Sequence, residues 1–308
     1  MLQVVILGSA AGGGFPQWNS NNEASRRARA GDPLALPRSQ SSIAATADGE
    51  RWVLVNASPD LRQQINAAPQ LHPRRGLRHS PLAAVVLTSG EVDHVAGLLT
   101  LRESHPLALY ATDRVLSILR ENGIFGALDP GFVPRRSVAI GERFPVTDRD
   151  GHDTGIVIEA FAVPGKVPLY REDAAQGENF GTEPGDSIGL TITAGGQTCF
   201  YIPGCAALTA DVADRLRRAP LVLFDGTLWR DDEMIVAGVG RKTGRRMGHI
   251  SIDGDAGSLA GFAGLGVRRK IFVHINNTNP ILLADSPERA AVERAGWEVA
   301  HDGLELVP

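Results

Sequence analysis

The chain opens on L-Q-V-V-I-L-G-S, an apolar run broken at one position. Such β-branched density predicts a strand with both faces buried. Two further apolar runs flank Asp48-Gly49 in S-I-A-A-T-A-D-G-E-R-W-V-L-V-N-A-S, which reads as a hairpin. Helical spacing follows over Leu61 to Leu71, then a strand in A-A-V-V-L-T-S-G and a helix in V-A-G-L-L-T-L-R-E-S. L-A-L-Y-A-T reads as a strand and R-V-L-S-I-L-R-E-N-G as a helix stopped by Gly123. From about 126 to 187 the pattern dissolves into Pro, Gly and charge, which predicts loops with a few strands.

Alternation then returns. S-I-G-L-T-I-T-A-G-G-Q-T-C-F-Y-I-P-G predicts a second hairpin, A-D-V-A-D-R-L-R-R-A a helix, and L-V-L-F-D-G-T-L-W a strand whose end carries Asp225. After a Gly- and Arg-rich loop come a helix in G-D-A-G-S-L-A-G-F-A-G-L-G, a strand in K-I-F-V-H-I-N-N-T-N-P and a helix in P-E-R-A-A-V-E-R-A-G. A last strand pair is expected to turn at Asp302-Gly303. Hairpins followed by helices thus occur in both halves, with no linker between them. The pattern predicts a single domain over 1–308, with two sheets and helices outside.

The 308 residues suffice for one large domain. A net charge of -4 argues against a non-specific nucleic-acid surface. Two cysteines, Cys199 and Cys205, are too few for a disulfide framework. No apolar stretch is long enough to span a bilayer, and the first residues lack the basic start of a secretory signal. A cytoplasmic protein is expected, without membrane or nucleic-acid partners.

Three strand ends deliver polar residues: Asp93-His94, Asp225 and His274. Each alone has an ordinary explanation as a cap, a turn or a core histidine. Their recurrence at successive strand ends points to a site on a rigid scaffold. The run G-S-A-A-G-G-G departs from G-x-G-x-x-G and reads as a tight turn or a loop lining that site. In K-T-G-R-R-M-G-H-I-S, the residues Lys242, Arg245 and Arg246 form either a solvated basic loop or an anion clamp for substrate carboxylate or phosphate. In the clamp reading, His249 beside them is expected as a proton or hydrogen-bond donor.

At T-S-G-E-V-D-H-V-A-G-L the chain resembles the metallo-β-lactamase superfamily motif T-H-x-H-x-D-H-x-G-G-L. Thr88, Asp93, His94, Gly97 and Leu98 match, whereas Ser89 and Glu91 replace two histidines. Further stretches, among them G-S-A-A-G-G-G-F-P-Q-W-N, Y-I-P-G-C, F-D-G-T-L-W-R-D-D-E-M-I and H-I-N-N-T-N-P-I-L, resemble the PqqB family of pyrroloquinoline quinone (PQQ) biosynthesis. The resemblance implies an α+β fold, the αββα sandwich, with a metal site at the open edge between the sheets. It also implies a role in making PQQ from a peptide containing glutamate and tyrosine. The mid-chain histidine is missing too, since the corresponding stretch is V-P-G-K, and Cys205 lies near the bridging acidic position.

What survives is Asp93, His94 and His274. Two histidines and one carboxylate are the ligands of mononuclear non-haem iron oxygenases. The resemblance therefore implies one divalent metal, iron(II) ahead of zinc or manganese, and hydroxylation of the tyrosine ring of a Glu-Tyr-derived precursor. Asp225 is expected as a fourth ligand or as the partner that orients His274. Lys242, Arg245 and Arg246 are expected to hold substrate carboxylates, and His249 to line the pocket. A carrier for PQQ or its precursor and a residual metal-dependent hydrolase are the alternatives. Other PQQ biosynthesis proteins are the expected partners, and an oligomer is compatible with the sequence.

Many PqqB-like chains carry C-x-C-x-x-C where this one has Ser20, Asn22 and Ser25. Hydroxyls and an amide are poor zinc ligands, so no structural zinc is expected there.

Overall fold

The computed structural model describes residues 1–176 and 180–308. Among the described residues, fourteen strands form two seven-stranded sheets. The first sheet is built by β1 (Gln3–Gly8), β2 (Ser42–Thr46), β3 (Trp52–Val55), β4 (Leu82–Val86), β5 (Ala108–Ala111) and β6 (Arg135–Ser137). The second is built by β7 (Arg143–Thr147), β8 (Asp153–Ala162), β9 (Ile188–Ala194), β10 (Gln197–Ile202), β11 (Leu221–Asp225), β12 (Arg269–Val273) and β13 (Trp297–Val299). The final strand, β14 (Glu305–Leu306), returns to the first sheet beside β1.

Each sheet is half antiparallel and half parallel. β14-β1-β2-β3 and β7-β8-β9-β10 are antiparallel, joined in part by the two predicted hairpins. β3-β4-β5-β6 and β10-β11-β12-β13 are parallel, and parallel neighbours need crossover connections. The helices between them supply those crossovers and cover the outer faces. This is why the strands read as continuous apolar runs rather than as alternation. Val4 and Ile6, Val53 and Val55, Leu190 and Ile192, and Leu221 and Leu223 face the other sheet in one shared core. Their neighbours Val5, Leu7 and Leu54 pack outward into a second core beneath the helices Leu61–Ala67 and Asp113–Glu121, the first of which lies against β1. Phe200, Phe224 and Phe272 do the same on the second sheet, with Trp297 stacked on Phe272. Three apolar layers between four structural ones make the αββα sandwich.

Two local expectations need correction. The helix ending at Glu121 is capped at Asn122, which has an extended backbone, and a 3₁₀ turn over Gly123–Ala127 follows, so Gly123 begins a turn instead of closing the helix. The last two strands do not pair with each other. β13 lies parallel to β12, and β14 lies antiparallel to β1 in the opposite sheet. Asp302-Gly303 is therefore a crossing between sheets. Asp302 fixes the crossing by accepting hydrogen bonds from the backbone N–H and hydroxyl of both Ser9 and Ser39. A hairpin and a crossing carry the same Asp-Gly turn signal, and only tertiary pairing separates them.

The stretch 20–25 is a helix start. Asn22 is the N-cap of Glu23–Arg29, its side-chain oxygen accepting from Ser25 N at 2.7 Å. Its amide donates to the Asn277 carbonyl, tying the cap to the loop after β12. Phe15 is buried in the second sheet's outer core, whereas Trp18 is 85% exposed. No helix among the described residues is long and apolar enough to cross a membrane.

Candidate metal centre

The parallel strands β4, β11 and β12 all end at the same edge of the sandwich, and the polar residues follow those ends. Asp93 and His94 lie in the turn of helix Val92–Val95 after β4. Asp225 is the last residue of β11, and His274 immediately follows β12. Open sheets containing parallel strands place their sites at the carboxyl ends of those strands. His274 takes φ 56°, a left-handed conformation that a side chain with a Cβ adopts reluctantly. It is held there by the N–H of the next residue, Ile275, which donates to the Ser9 carbonyl. The conformation turns the imidazole off the sheet and toward Asp93.

Asp93, His94 and His274 converge. Asp93 Oδ2 lies 3.1 Å from His274 Nε2 and 4.0 Å from His94 Nε2. His94 Nε2 is buried without a hydrogen-bond partner. Buried polar atoms rarely go unpaired, so this one marks a place built for something else. Burial pushes the His94 imidazole down to about 4 against the pull of Asp93, so it is neutral and offers a lone pair. Burial alone would raise the Asp93 carboxyl, but His94 and His274 outweigh it and hold Asp93 well below the usual range. Burial alone would lower His274, yet its hydrogen bond to Asp93 and the nearby carboxylates raise it. The pair thus shares a proton that a divalent cation would displace.

The remaining nitrogens are fixed by neighbours. His94 Nδ1 is 2.7 Å from Ser89 Oγ. Ser89 stands where the superfamily motif has its first histidine, and here it touches a candidate ligand instead of being one. Thr227 is the second such contact. Its Oγ1 lies 2.6 Å from Asp225 Oδ1 and 2.8 Å from His274 Nδ1. A hydroxyl has one proton, which goes to the carboxylate. His274 Nδ1–H then donates to Thr227, which leaves Nε2, the nitrogen that shares its proton with Asp93, as the one a cation would take.

Asp225 is fully buried, and both its oxygens are occupied. Oδ1 accepts from Thr227 N–H and Oγ1, and Oδ2 accepts from Cys205 N–H and His249 Nδ1–H at 2.8 Å. It therefore grips His249 directly and His274 only through Thr227. Cys205 turns its thiol toward the Ala207 carbonyl, and burial pushes that thiol up to about 12. It is a neutral packing group here.

Asp93, His94, His274, Ser89, Thr227 and His249 line a cavity of about 380 Å³, within the range of small-molecule sites. Ala11 and Gly12 of the glycine run form one wall, and a Cβ on Gly12 would sit 3.5 Å from Asp93 Oδ2. Lys166, Lys242 and Met247 also line the cavity. The basic loop is divided. Lys242 and Arg246 are both bonded to Glu172, whereas Arg245 is exposed, lies outside the cavity and engages Asp231 only through its backbone N–H. Glu91 is paired with Lys166 of V-P-G-K and does not join the converging triad. Sequence reasoning passed over Ser89 as a contact, Thr227, Lys166 and Glu172. Thr227 was visible as the polar residue two after Asp225, on the same side of an extended chain. Glu172 lies in a stretch with no periodicity, and nothing local marks it.

A model of the β-lactamase superfamily domain matches residues 51–275. The coenzyme PQQ synthesis protein B of Gluconacetobacter diazotrophicus is 56% identical over 99% of both chains, and that of Xanthomonas campestris pv. campestris is 54% identical over the same shares. The crystal structure of Zn(2+)-bound PqqB from Methylobacterium extorquens superposes with TM-score 0.93 at 53% identity, covering 99% of this chain and 100% of that one. A diphosphatase of the PhnP family shares the fold alone, with TM-score 0.70 at 19% identity over 99% of this chain and 96% of that one. With near-complete coverage at more than half identity, the chain belongs to the coenzyme PQQ synthesis protein B family of the β-lactamase superfamily, and its role lies in the biosynthesis of that coenzyme.

Proposed function

We propose that the chain is a mononuclear, iron(II)-dependent hydroxylase acting on the tyrosine ring of a Glu-Tyr-derived precursor of PQQ. The observation that carries this reading is the buried, partnerless Nε2 of His94 facing Asp93 and His274. Those three residues would hold the metal. A zinc-bound relative supports a divalent ion, and the two-histidine, one-carboxylate donor set favours iron when the chemistry is oxidative. When bound, the metal supplies activation of dioxygen, so that one oxygen atom enters a ring C–H bond and the other leaves as water. A co-reductant provides the two electrons and two protons this needs.

The chain's own residues do the rest. Ser89 and Thr227 fix the tautomers and aim of His94 and His274. Asp225 holds the His249 Nδ1 proton, which leaves Nε2 as the basic nitrogen of a residue lining the cavity. His249 is thereby suited to accept the phenol proton of a tyrosine ring. The basic side chains at the cavity edge favour an anionic substrate. Other proteins of the same biosynthesis are the natural suppliers and acceptors of so small a substrate.

The test is anaerobic reconstitution with iron(II), then exposure to dioxygen with ascorbate and glutamyl-tyrosine, followed by mass analysis. A product heavier by one oxygen, labelled from ¹⁸O₂ and lost in His274→Ala, is expected. No oxygenated product together with tight binding of PQQ would replace the hydroxylase by a carrier.

A further inference from the structure

The basic cluster at the cavity edge already holds a carboxylate, and it is the protein's own. Glu172 Oε2 lies 2.7 Å from Arg246 Nη2 and 2.9 Å from Lys242 Nζ, and Oε1 lies 3.1 Å from both side chains. Arg246 thus grips the carboxylate with a two-pronged fork, the geometry that guanidinium offers to any carboxylate. Lys166 Nζ stands 4.0 Å from Oε1, and the Arg246 guanidinium lies 3.5 Å over the Phe180 ring. The Glu172 side chain is only 13% exposed, so the grip is not one of the solvent-screened pairs that contribute little.

Three cations here face two carboxylates, Glu172 and the Glu91 that pairs with Lys166. The cluster therefore keeps a surplus of positive charge even with Glu172 in place. Lys166 and Lys242 line the cavity of the Asp93, His94 and His274 triad, so the cluster borders that cavity. Glu172 itself comes from an irregular stretch between short 3₁₀ turns at Leu169–Arg171 and Ala174–Gln176, outside both sheets. A carboxylate on such a segment is replaced at less cost than one on a strand.

We propose that Lys242 and Arg246 form a subsite for the free carboxylate of an amino-acid-derived ligand. Glu172 is the internal carboxylate that holds this subsite until such a ligand displaces it. The inference rests on the proposed function only in that the ligand enters the same cavity. It makes Glu172 a competitor: apparent affinity for an anionic ligand is reduced by the fraction of molecules in which the subsite is taken. If Glu172 were instead a plain staple between two loops, removing its charge would loosen the site and weaken binding. The two roles predict opposite signs.

The experiment is calorimetric titration of the metal-loaded protein under argon with L-glutamyl-L-tyrosine, and with the same peptide after both carboxylates are amidated. Glu172→Gln is expected to bind the dicarboxylate roughly tenfold tighter than the natural chain and the amidated peptide equally well. Arg246→Gln in the Glu172→Gln background is expected to abolish the gain. In the natural chain, amide hydrogen exchange over residues 168–176 is expected to rise when the dicarboxylate binds. Unchanged or weaker binding by Glu172→Gln would overturn the proposal, as would exchange that falls or stays level. Binding under argon is read separately from turnover. A binding gain without oxygenated product leaves the subsite standing and removes the hydroxylase, whereas product without the gain does the reverse.

Discussion

Replacing Ser89 by alanine tests whether this position, a histidine in the superfamily motif, now serves as an orienting partner. The hydroxyl is 2.7 Å from His94 Nδ1, and both residues are buried, at 4% and 5% exposure. Without it the nearest replacement is Thr88 Oγ1, 3.4 Å away. That oxygen is already held by the Asn56 amide at 2.9 Å, so it cannot approach without straining a second buried hydrogen bond. Leaving a buried N–H poorly satisfied costs about 1–3 kcal/mol. Losing the orienting partner of a metal-bound histidine typically weakens metal binding by about 10- to 100-fold. Ser89→Ala is therefore expected to bind iron(II) or zinc about tenfold more weakly or worse, measured by competition with a chromophoric chelator. Thr88→Val combined with Ser89→Ala should add to the loss, since it removes the fallback. A Ser89→Ala protein with unchanged metal affinity would refute the assignment and return Ser89 to the status of a space-filling residue.

Asp225→Asn should keep its metal and lose most of its turnover, because it releases His249 and only indirectly disturbs His274. Loss of metal on that substitution, measured by elemental analysis, would make Asp225 a ligand. Gly97→Ala should destabilise the fold and weaken metal binding together. Its Cβ would lie 2.0 Å from the Ser58 carbonyl oxygen and 2.8 Å from that of Ala57, whose N–H bonds the His94 carbonyl. Overpacking against backbone costs about 1–3 kcal/mol, read as a lowered melting temperature. Glu233 supplies a pH dependence: burial pushes its carboxyl up to about 7, so the folded state holds that proton more tightly than the unfolded chain. Its contribution is then complete below the ordinary carboxyl range and is lost as pH rises through about 7, an effect on the order of 2 kcal/mol. Urea denaturation at pH 5.5 and pH 8 should show Glu233→Gln losing less stability over that interval than the natural chain, and an identical loss would sink the assignment.

The sandwich was legible because its strands are dense in β-branched residues and its turns carry Asp-Gly and Gly-Gly. The three converging residues were legible because they sit at strand ends, and because Asp93 and His94 keep a recognisable motif. What escaped were features decided by pairing across the fold. β13 and β14 look like one hairpin, but each buries its apolar residues against a different sheet. Asp225 was expected as a fourth ligand or as the residue that orients His274, and the position of Thr227 inserts a hydroxyl between the two. Lys242, Arg245 and Arg246 looked equivalent, and the short turn at Arg245–Met247 sends the first and third to Glu172 and the second to solvent.

The substitutions at the lost histidine positions make one argument together. Carboxylates left in a cavity that lacks the imidazoles would still attract cations. In this chain each altered position has acquired a new partner. Ser89 supports His94, while Glu91 is neutralised by Lys166. The ammonium supplies from within the protein the positive charge that a first metal would have brought, and it repels a second cation from the cavity. Under the proposed function this leaves one metal with open positions for dioxygen and substrate, where a two-metal site would hold a bridging hydroxide for hydrolysis. The loaded protein should then hold one metal ion per chain. Lys166→Met, by freeing Glu91, should raise that count under excess zinc, and a count above one in the natural chain that survives loss of Asp93, His94 and His274 would contradict the argument.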